Sequence, residues 1–182
     1  IFPLFVVEGR GVKNEIPSMP GIYQWSIDKI LSEINSILKL GITKVLLFGI
    51  PNIKDKIGTK SWAADGIVQN AVKSIKKEFP DLYIITDICF CSYTNHGHCG
   101  ILKDGDLHNE MTLDNLAKQV VSHANAGVDM VAPSLMADGM VREIRLSLDK
   151  SGFTGIPIMS YAVKYASSFY GPFRDAAKSS PM

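Results

Sequence analysis

Apolar runs of strand length alternate along the chain with stretches in which apolar residues recur every three or four positions. An apolar run without polar alternation predicts a strand that is buried on both faces. The three- and four-residue recurrence instead predicts amphipathic helices. The predicted strands are 2–7, 44–50, 82–88, 130–134 and 157–163, and helices at about 27–40, 62–79, 112–126 and 141–151 separate them.

The predicted order, four β-α units and a fifth strand, indicates an α/β protein with parallel strands joined by helical crossovers. Both a doubly wound open sheet and a (β/α)8 TIM barrel fit this order. No glycine-rich phosphate loop follows a predicted strand, which argues against a nucleotide-binding open sheet. A full barrel takes about 250 residues. We therefore expect residues 1–182 to form a single domain, an incomplete barrel with about the first five strands.

Composition narrows the class of protein further. Of the 182 residues, 46% are hydrophobic and 20% are charged, which is typical of a globular protein. The net charge of +1 gives no reason to expect binding to nucleic acid or to an anionic membrane. The three cysteines are too few and too closely spaced for a disulfide framework. We expect reduced thiols and a cytoplasmic location, with a plastid as the alternative.

Three cysteines and an aspartate cluster near the end of the third predicted strand. Asp87, Cys89 and Cys91 alternate, so in an extended backbone their side chains share one face. Cys99 follows in a glycine-containing loop that can fold back toward them. Thiolates are ligands that zinc prefers, and three protein ligands leave a fourth position open, as in catalytic zinc sites. The spacing therefore predicts a catalytic zinc site.

Two alternatives to a catalytic zinc site remain open. His96 or His98 could supply a fourth ligand and close the site, as in structural zinc centres. The three cysteines could also be core residues that bind no metal, because buried cysteine is common. The position at the carboxyl end of a strand favours catalysis, since α/β enzymes place their chemistry there.

A lysine ends the fifth predicted strand. Alternation puts Ser160, Ala162 and Lys164 on one face, with Lys164 at the carboxyl end beside the cysteines. Burial and a nearby cation favour the free amine, which can attack a ketone and form a Schiff base. The alternative is a solvated surface charge. Against this alternative, an aromatic loop follows, with Tyr165, Phe169, Tyr170 and Phe173.

Several further residues are candidates for substrate binding. Arg174 offers a guanidinium suited to a carboxylate, although a surface salt bridge is the alternative. Ser134 either hydrogen-bonds a substrate or caps the next helix. Asp138 could likewise hydrogen-bond a substrate or cap the next helix, and the capping role is favoured. From the aromatic loop we include Tyr170 and Phe173 among the substrate-binding candidates.

Two long segments resemble the delta-aminolevulinic acid dehydratase family, also called porphobilinogen synthases. Residues 87–100, DICFCSYTNHGHCG, are similar to the zinc segment of that family. Residues 159–174, MSYAVKYASSFYGPFR, are similar to its first Schiff-base lysine segment. Shorter matches at 19–21, 47–50 and 132–134 keep the order of the family, so the resemblance covers essentially the whole chain.

The resemblance implies a barrel enzyme, a hydro-lyase, that condenses two 5-aminolevulinate molecules to porphobilinogen with loss of two waters, in tetrapyrrole (heme) synthesis. It implies that Lys164 binds the first substrate through its ketone and that Asp87 orients groups or moves protons. Arg174 would hold the carboxylate of the second substrate, and zinc on the three cysteines would position or polarise that substrate. Members of the family are usually homo-octamers built from dimers.

The chain departs from the family pattern at its ends. The lid, the second Schiff-base lysine and the last strands should follow residue 182, and an N-terminal arm should precede residue 1. We therefore expect residues 1–182 alone to be inactive. Two hypotheses from other classes remain open, namely a Schiff-base aldolase with a structural zinc and an inactive, zinc-stabilised remnant or scaffold.

Overall fold

The computed structural model describes residues 1–165 and 167–179. Its strands are β1 (Phe2–Val7), β2 (Lys13–Ile16), β3 (Met19–Trp25), β4 (Lys44–Ile50), β5 (Tyr83–Ile88), β6 (Leu102–Lys103), β7 (Asp106–Leu107) and β8 (Met130–Pro133). Its helices are α1 (Ile27–Leu38), α2 (Ile67–Glu78), α3 (Asn109–Ala126), α4 (Met140–Lys150) and α5 (Tyr170–Ala177), with a 3-10 turn at Thr59–Ser61. Within these residues, no helix combines the length and apolar character needed to cross a membrane.

The main sheet has the strand order β2-β3-β1-β4-β5-β8. Strands β1, β4, β5 and β8 are parallel neighbours and lie side by side in chain order. In a doubly wound sheet the strand order reverses at a switch point. These four strands show no such reversal, as expected for consecutive strands of a barrel. The β2–β3 hairpin extends the sheet beside β1.

Helices α1 to α4 cover one face of this sheet. Ile34, Val72, Val120 and Ile144, one from each helix, belong to a single buried cluster with the outward side chains of the strands. The opposite face of the central strands carries a separate small cluster of Leu46, Ile85 and Ala132. A doubly wound sheet has helices on both faces, whereas a barrel has its helices outside only. The arrangement therefore has the layering of a barrel section.

The first four predicted strands and all four predicted helices are confirmed, with changes at their ends. Helix α2 begins at Ile67, five residues later than predicted, because the 3-10 turn precedes it and Gly66 is its N-cap. Helix α3 begins three residues earlier than predicted. The His108 side chain accepts a hydrogen bond from the Met111 amide and so caps the added turn.

The fifth predicted strand does not form a regular strand. Met159 donates its amide to the Val131 carbonyl (2.9 Å), and Tyr161 donates to the Pro133 carbonyl (3.1 Å), so the segment runs along β8. Among the described residues it pairs on this side only, with one isolated bridge to β8. Without a regular pleat, the predicted alternation was wrong. Tyr161, and not Ser160, faces the cavity described below.

A buried histidine makes the core sensitive to acid. His123 on α3 is fully buried, and its Nδ1 lies 3.0 Å from the Thr86 hydroxyl on β5. Burial lowers the pKa of His123 to about 4, because the charged imidazolium is disfavoured inside the protein. The folded-state pKa thus lies below the unfolded value of about 6.5. The resulting stability is fully present above about pH 6.5 and is lost as the pH falls toward 4.

We therefore expect protonation of His123 to reduce the free energy of unfolding by about 3 kcal/mol between about pH 7 and pH 4. His123→Gln cannot protonate and should remove this part of the acid dependence. Denaturant titrations at several pH values measure the effect. His108→Asn, at the partly exposed start of α3, is the control and should keep the acid dependence. Equal pH slopes for His123→Gln and the unaltered protein would contradict the assignment.

Candidate metal and substrate site

A cavity of about 700 Å³ opens at the carboxyl end of the central strands, between the sheet and α5. Eight of the nine site residues predicted from the sequence line it: Cys89, Cys91, Cys99, Ser134, Lys164, Tyr170, Phe173 and Arg174. The ninth, Asp87, lies two residues before Cys89 on β5, and its Oδ1 atom is buried. The tertiary structure therefore gathers residues that are separated by up to 87 positions in the sequence.

The three cysteine sulfurs form a compact group. The Cys89 and Cys91 sulfurs are 3.6 Å apart, and all three sulfurs lie within 4.8 Å of one another. Two sulfurs bound to one tetrahedral zinc at about 2.3 Å would be about 3.8 Å apart. The spacing thus fits a metal, and Cys89, Cys91 and Cys99 are the residues that could hold it.

A turn brings Cys91 to the group, rather than the strand alternation predicted from the sequence. Strand β5 ends at Ile88, and the Phe90 carbonyl then accepts the amides of Tyr93 (2.8 Å) and Thr94 (2.9 Å). Farther along, the Thr94 hydroxyl donates to the His98 carbonyl (2.8 Å). These bonds close the loop and return Cys99 to the other two cysteines.

The two histidines of this loop do not join the group of metal-ligating side chains in the described part of the chain. His96 Nε2 lies 3.1 Å from the Lys56 carbonyl, and its Nδ1 accepts the His98 amide at 3.2 Å. Both ring nitrogens of His96 are therefore engaged elsewhere. His98 lines the cavity but does not belong to the sulfur group.

The three thiols differ in their pKa values, and so in how readily they ionise. Hydrogen bonds from the thiols of Cys89 and Cys91 lower the pKa of Cys99 to about 3. The pKa of Cys89 rises to about 12: its contact with Cys91 lowers it, but Cys99 and burial raise it more. Hydrogen bonds within the group and burial also raise the pKa of Cys91. Cys99 is therefore the thiol of this group that ionises most readily, and a bound cation would favour ionisation of all three.

Asp87 has an environment suited to proton transfer. Burial, followed by the charge of Cys89, raises its pKa to about 8, while a hydrogen bond from Ser134 and the charge of Lys164 act in the opposite direction. A carboxyl group that titrates near neutral pH can both take up and release a proton during a reaction. Because the charge of Lys164 acts on this carboxyl group, the two side chains belong to the same site.

Helix α5 carries the aromatic residues and the arginine of the site. It begins at Tyr170, and Pro172 lies in its first turn, where the missing amide costs no helical hydrogen bond. The Phe173 ring packs against those of Phe5 (6.4 Å between centroids) and Phe48 (5.7 Å) on the strands. These contacts fix the side of the helix that faces the cavity.

Two residues that the sequence analysis did not select hold the end of α5. Gln24 on β3 donates to the Ala176 carbonyl (2.6 Å). The Lys54 ammonium group donates to the carbonyls of Ala177 (3.3 Å) and Lys178 (2.5 Å). A cation at the C-terminus of a helix also interacts favourably with the helix dipole. No local sequence pattern connects these residues with a helix more than 100 positions away.

Comparison with known proteins decides the family. A model of the family described as delta-aminolevulinic acid dehydratase matches residues 1–182. The chain belongs to this family.

Relatives within the dehydratase family are similar along the whole chain. The delta-aminolevulinic acid dehydratase of Halalkalibacterium halodurans is 53% identical over 182 residues, which are 100% of this chain and 56% of that protein. The protein of the same name from Synechocystis sp. is 55% identical over 185 residues, covering 100% of this chain and 57% of its own length. The one from Ruminiclostridium josui is 52% identical over 177 residues, 97% of this chain and 86% of that protein. The chain thus spans about half the length of the first two dehydratases.

A solved structure of the family matches the fold. The delta-aminolevulinic acid dehydratase of Toxoplasma gondii ME49, in complex with the reaction product porphobilinogen, superposes with a TM-score of 0.95 and 39% identity. The match covers 99% of this chain and 52% of that one. The parallel sheet of this chain is therefore a section of the dehydratase (β/α)8 barrel, as predicted.

The structure tests the predicted helix-capping roles of Ser134 and Asp138. Ser134 lines the cavity and interacts with Asp87, and the N-cap of the following helix α4 is Gly139. Asp138 is exposed, and its backbone amide and carbonyl pair with the Asn109 side chain. The expectation that Asp138 caps α4 with its side chain was therefore wrong, because Gly139 occupies the capping position.

Phe48 also lines the cavity, although it was not among the predicted site residues. A signal was present, because Phe48 shares strand parity with Leu46, whose side chain lies on the face of β4 opposite the helices. Met136, which also lines the cavity, lies in a loop where no periodicity applies.

Proposed function

We propose that this chain contributes the metal centre and a Schiff-base lysine to a porphobilinogen synthase. The reaction condenses two 5-aminolevulinate molecules to porphobilinogen with loss of two waters, and belongs to tetrapyrrole (heme) synthesis. One observation carries the proposal: Lys164 and the cysteine group line a single cavity in a chain of this family, and the buried Asp87 interacts with the charges of both Cys89 and Lys164. Neither an aldolase nor an inactive scaffold is favoured by any feature of this cavity.

Lys164 is the proposed nucleophile toward the first substrate. Its free amine attacks the ketone carbon, the nitrogen loses a proton and the carbonyl oxygen takes one up, which gives a carbinolamine. A second proton on the same oxygen makes it a leaving group. Loss of that oxygen as water, with the nitrogen lone pair forming the C=N bond, leaves the Schiff base. Asp87, whose pKa is raised to about 8, is placed to supply and recover these protons.

Cys89, Cys91 and Cys99 are the proposed ligands of a zinc ion. Sulfur donors and the spacing of the group favour zinc over magnesium, which prefers oxygen ligands. When bound, such an ion polarises a carbonyl or makes a water more acidic. Three cysteine ligands would leave one coordination position of the ion for that purpose.

The remaining cavity residues are proposed to bind and orient the substrates. Arg174 offers a planar guanidinium to a substrate carboxylate. Tyr170 and Phe173 supply an apolar wall that excludes water from the reacting groups. Ser134 hydrogen-bonds Asp87 and so helps to orient its carboxyl group. We also propose that the enzyme works in the cytoplasm as a homo-oligomer, an octamer built from dimers.

Removal of the metal tests this function. We expect a strong chelator to slow porphobilinogen formation from 5-aminolevulinate at least about tenfold, and zinc but not magnesium to restore it. The assay is run on this chain and on the same chain joined to the remainder of the Halalkalibacterium halodurans relative. Product formation that survives chelation would contradict the zinc centre. If neither protein makes product, the proposed synthase activity is wrong.

A further inference from the structure

Behind the cysteine group, a buried glutamine on α3 contacts the backbone of a proposed metal ligand. Gln119 is fully buried, and its Nε2 donates a hydrogen bond to the Cys89 carbonyl at 3.2 Å. Within the described residues, its Oε1 atom is buried and has no hydrogen-bond partner. This hydrogen bond connects helix α3 to the first residue after β5, where the loop that carries the cysteines begins.

The Cys89 carbonyl lies between the end of strand β5 and the turn that follows it. One residue earlier, the Ile88 carbonyl still accepts a sheet-type hydrogen bond, from the Ser134 amide (3.1 Å). One residue later, the Phe90 carbonyl accepts the amides of the turn. Among the residues that the structure describes, Gln119 is the donor to the Cys89 carbonyl between them. Because a peptide group is planar, a bond to its oxygen restricts the backbone rotation that aims the Cys89 side chain.

This arrangement is costly for the core. A buried polar atom without a partner destabilises a folded protein, and an apolar side chain of similar length would avoid that cost. Gln119 lies among buried apolar residues of α3, including Leu116 and Val120, where such a side chain would fit the surroundings. What an apolar residue could not provide is the donor to the Cys89 carbonyl.

We propose that Gln119 is a positioning residue for the metal site, which sets metal affinity by holding the Cys89 peptide in the orientation that binds. The inference rests on the proposed metal centre. Groups that orient metal ligands in this way typically change metal affinity by 10–100-fold when they are removed, so about tenfold or more is expected here.

Helix α2 offers a matched control. Gln69 is also buried, its Nε2 donates to the Ser61 carbonyl (2.9 Å), and its Oε1 likewise has no partner within the described residues. Gln69 also contacts the Ser122 hydroxyl (3.0 Å), but none of its hydrogen bonds reaches the cysteine segment. Replacing either glutamine by methionine removes an equivalent amide at similar burial, so the two variants separate metal positioning from general stability.

The test is a titration of the unaltered protein, Gln119→Met and Gln69→Met with cobalt(II), followed through the thiolate-to-cobalt charge-transfer absorption. We expect Gln119→Met to bind cobalt at least about tenfold more weakly and Gln69→Met to bind as the unaltered protein does. Thermal unfolding in chelator should shift comparably in both variants. Unchanged affinity in Gln119→Met, or equal weakening in both, would overturn the proposal.

Two further outcomes are distinguishable. If the unaltered protein shows no charge-transfer band, the proposed metal centre is wrong, and the proposed role of Gln119 is wrong as well. If Gln119→Met does not fold, the unaltered protein still answers the question by NMR. Cadmium binding should then shift the side-chain amide resonances of Gln119 and leave those of Gln69 in place. A Gln119 signal that does not respond would overturn the proposal.

Discussion

Lys164→Arg should abolish the covalent adduct that borohydride traps between the protein and 5-aminolevulinate. Arginine keeps a positive charge at the cavity wall, but its guanidinium does not form an imine with a ketone. The adduct should therefore fall at least about a hundredfold, to the background of the surface lysines. Peptide mapping by mass spectrometry of the unaltered protein should place the label on residue 164.

The control for this experiment is Lys103→Arg. Lys103 is exposed on β6 and does not line the cavity, so this variant should give the adduct in full. A label on another lysine of the unaltered protein, or a normal yield from Lys164→Arg, would show that Lys164 is not the nucleophile. Because imine formation requires only the first substrate, the measurement does not depend on product formation.

Cys91→Ala removes one of the three sulfurs and should reduce zinc affinity by at least about a hundredfold, since the bound ion loses a thiolate. The variant also removes one of the two thiols that stabilise the Cys99 thiolate. The zinc content of the protein, measured by elemental analysis after dialysis against buffered zinc, gives the affinity. Zinc binding that remains unchanged in Cys91→Ala would rule out this cysteine as a ligand.

His98→Ala is the informative companion to this variant. His98 lines the same cavity but lies outside the sulfur group, so its loss should leave zinc affinity within about threefold of the unaltered value. If His98→Ala instead loses zinc as Cys91→Ala does, the centre has four protein ligands. It would then be a structural site, and the proposal that zinc offers an open position to substrate would be wrong.

The sequence allowed most of the barrel section to be predicted, because its signals are local. Helices α1 to α4 follow from apolar residues that recur every three or four positions; in α1 these include Ile30, Ile34 and Ile37, which are buried. The elements that were not predicted lack such local signals. The β2–β3 hairpin includes Pro20, which weakens a strand prediction, and α5 carries glycine and proline in its first turn. Both elements form because neighbouring elements pack against them.

The residues of the candidate site could also be predicted only in part. Residue types and spacing alone selected the cysteine group, Lys164 and Arg174, and the structure places all of them at one cavity. Their roles remain predictions that the variants above test. Spacing could not find Gln24 or Gln119, because an amide side chain hydrogen-bonds whichever carbonyl the completed fold brings within reach.

The sequence by itself determined the order of strands and helices and the chemistry available at the strand ends. Both depend on short-range periodicity and on residue type. Only the tertiary structure decided that a turn, rather than a strand, delivers Cys91, and that β3 and the loop after β4 hold α5 over the cavity. These features depend on contacts between residues far apart in the chain, and such contacts exist only after the sheet and its helices have packed.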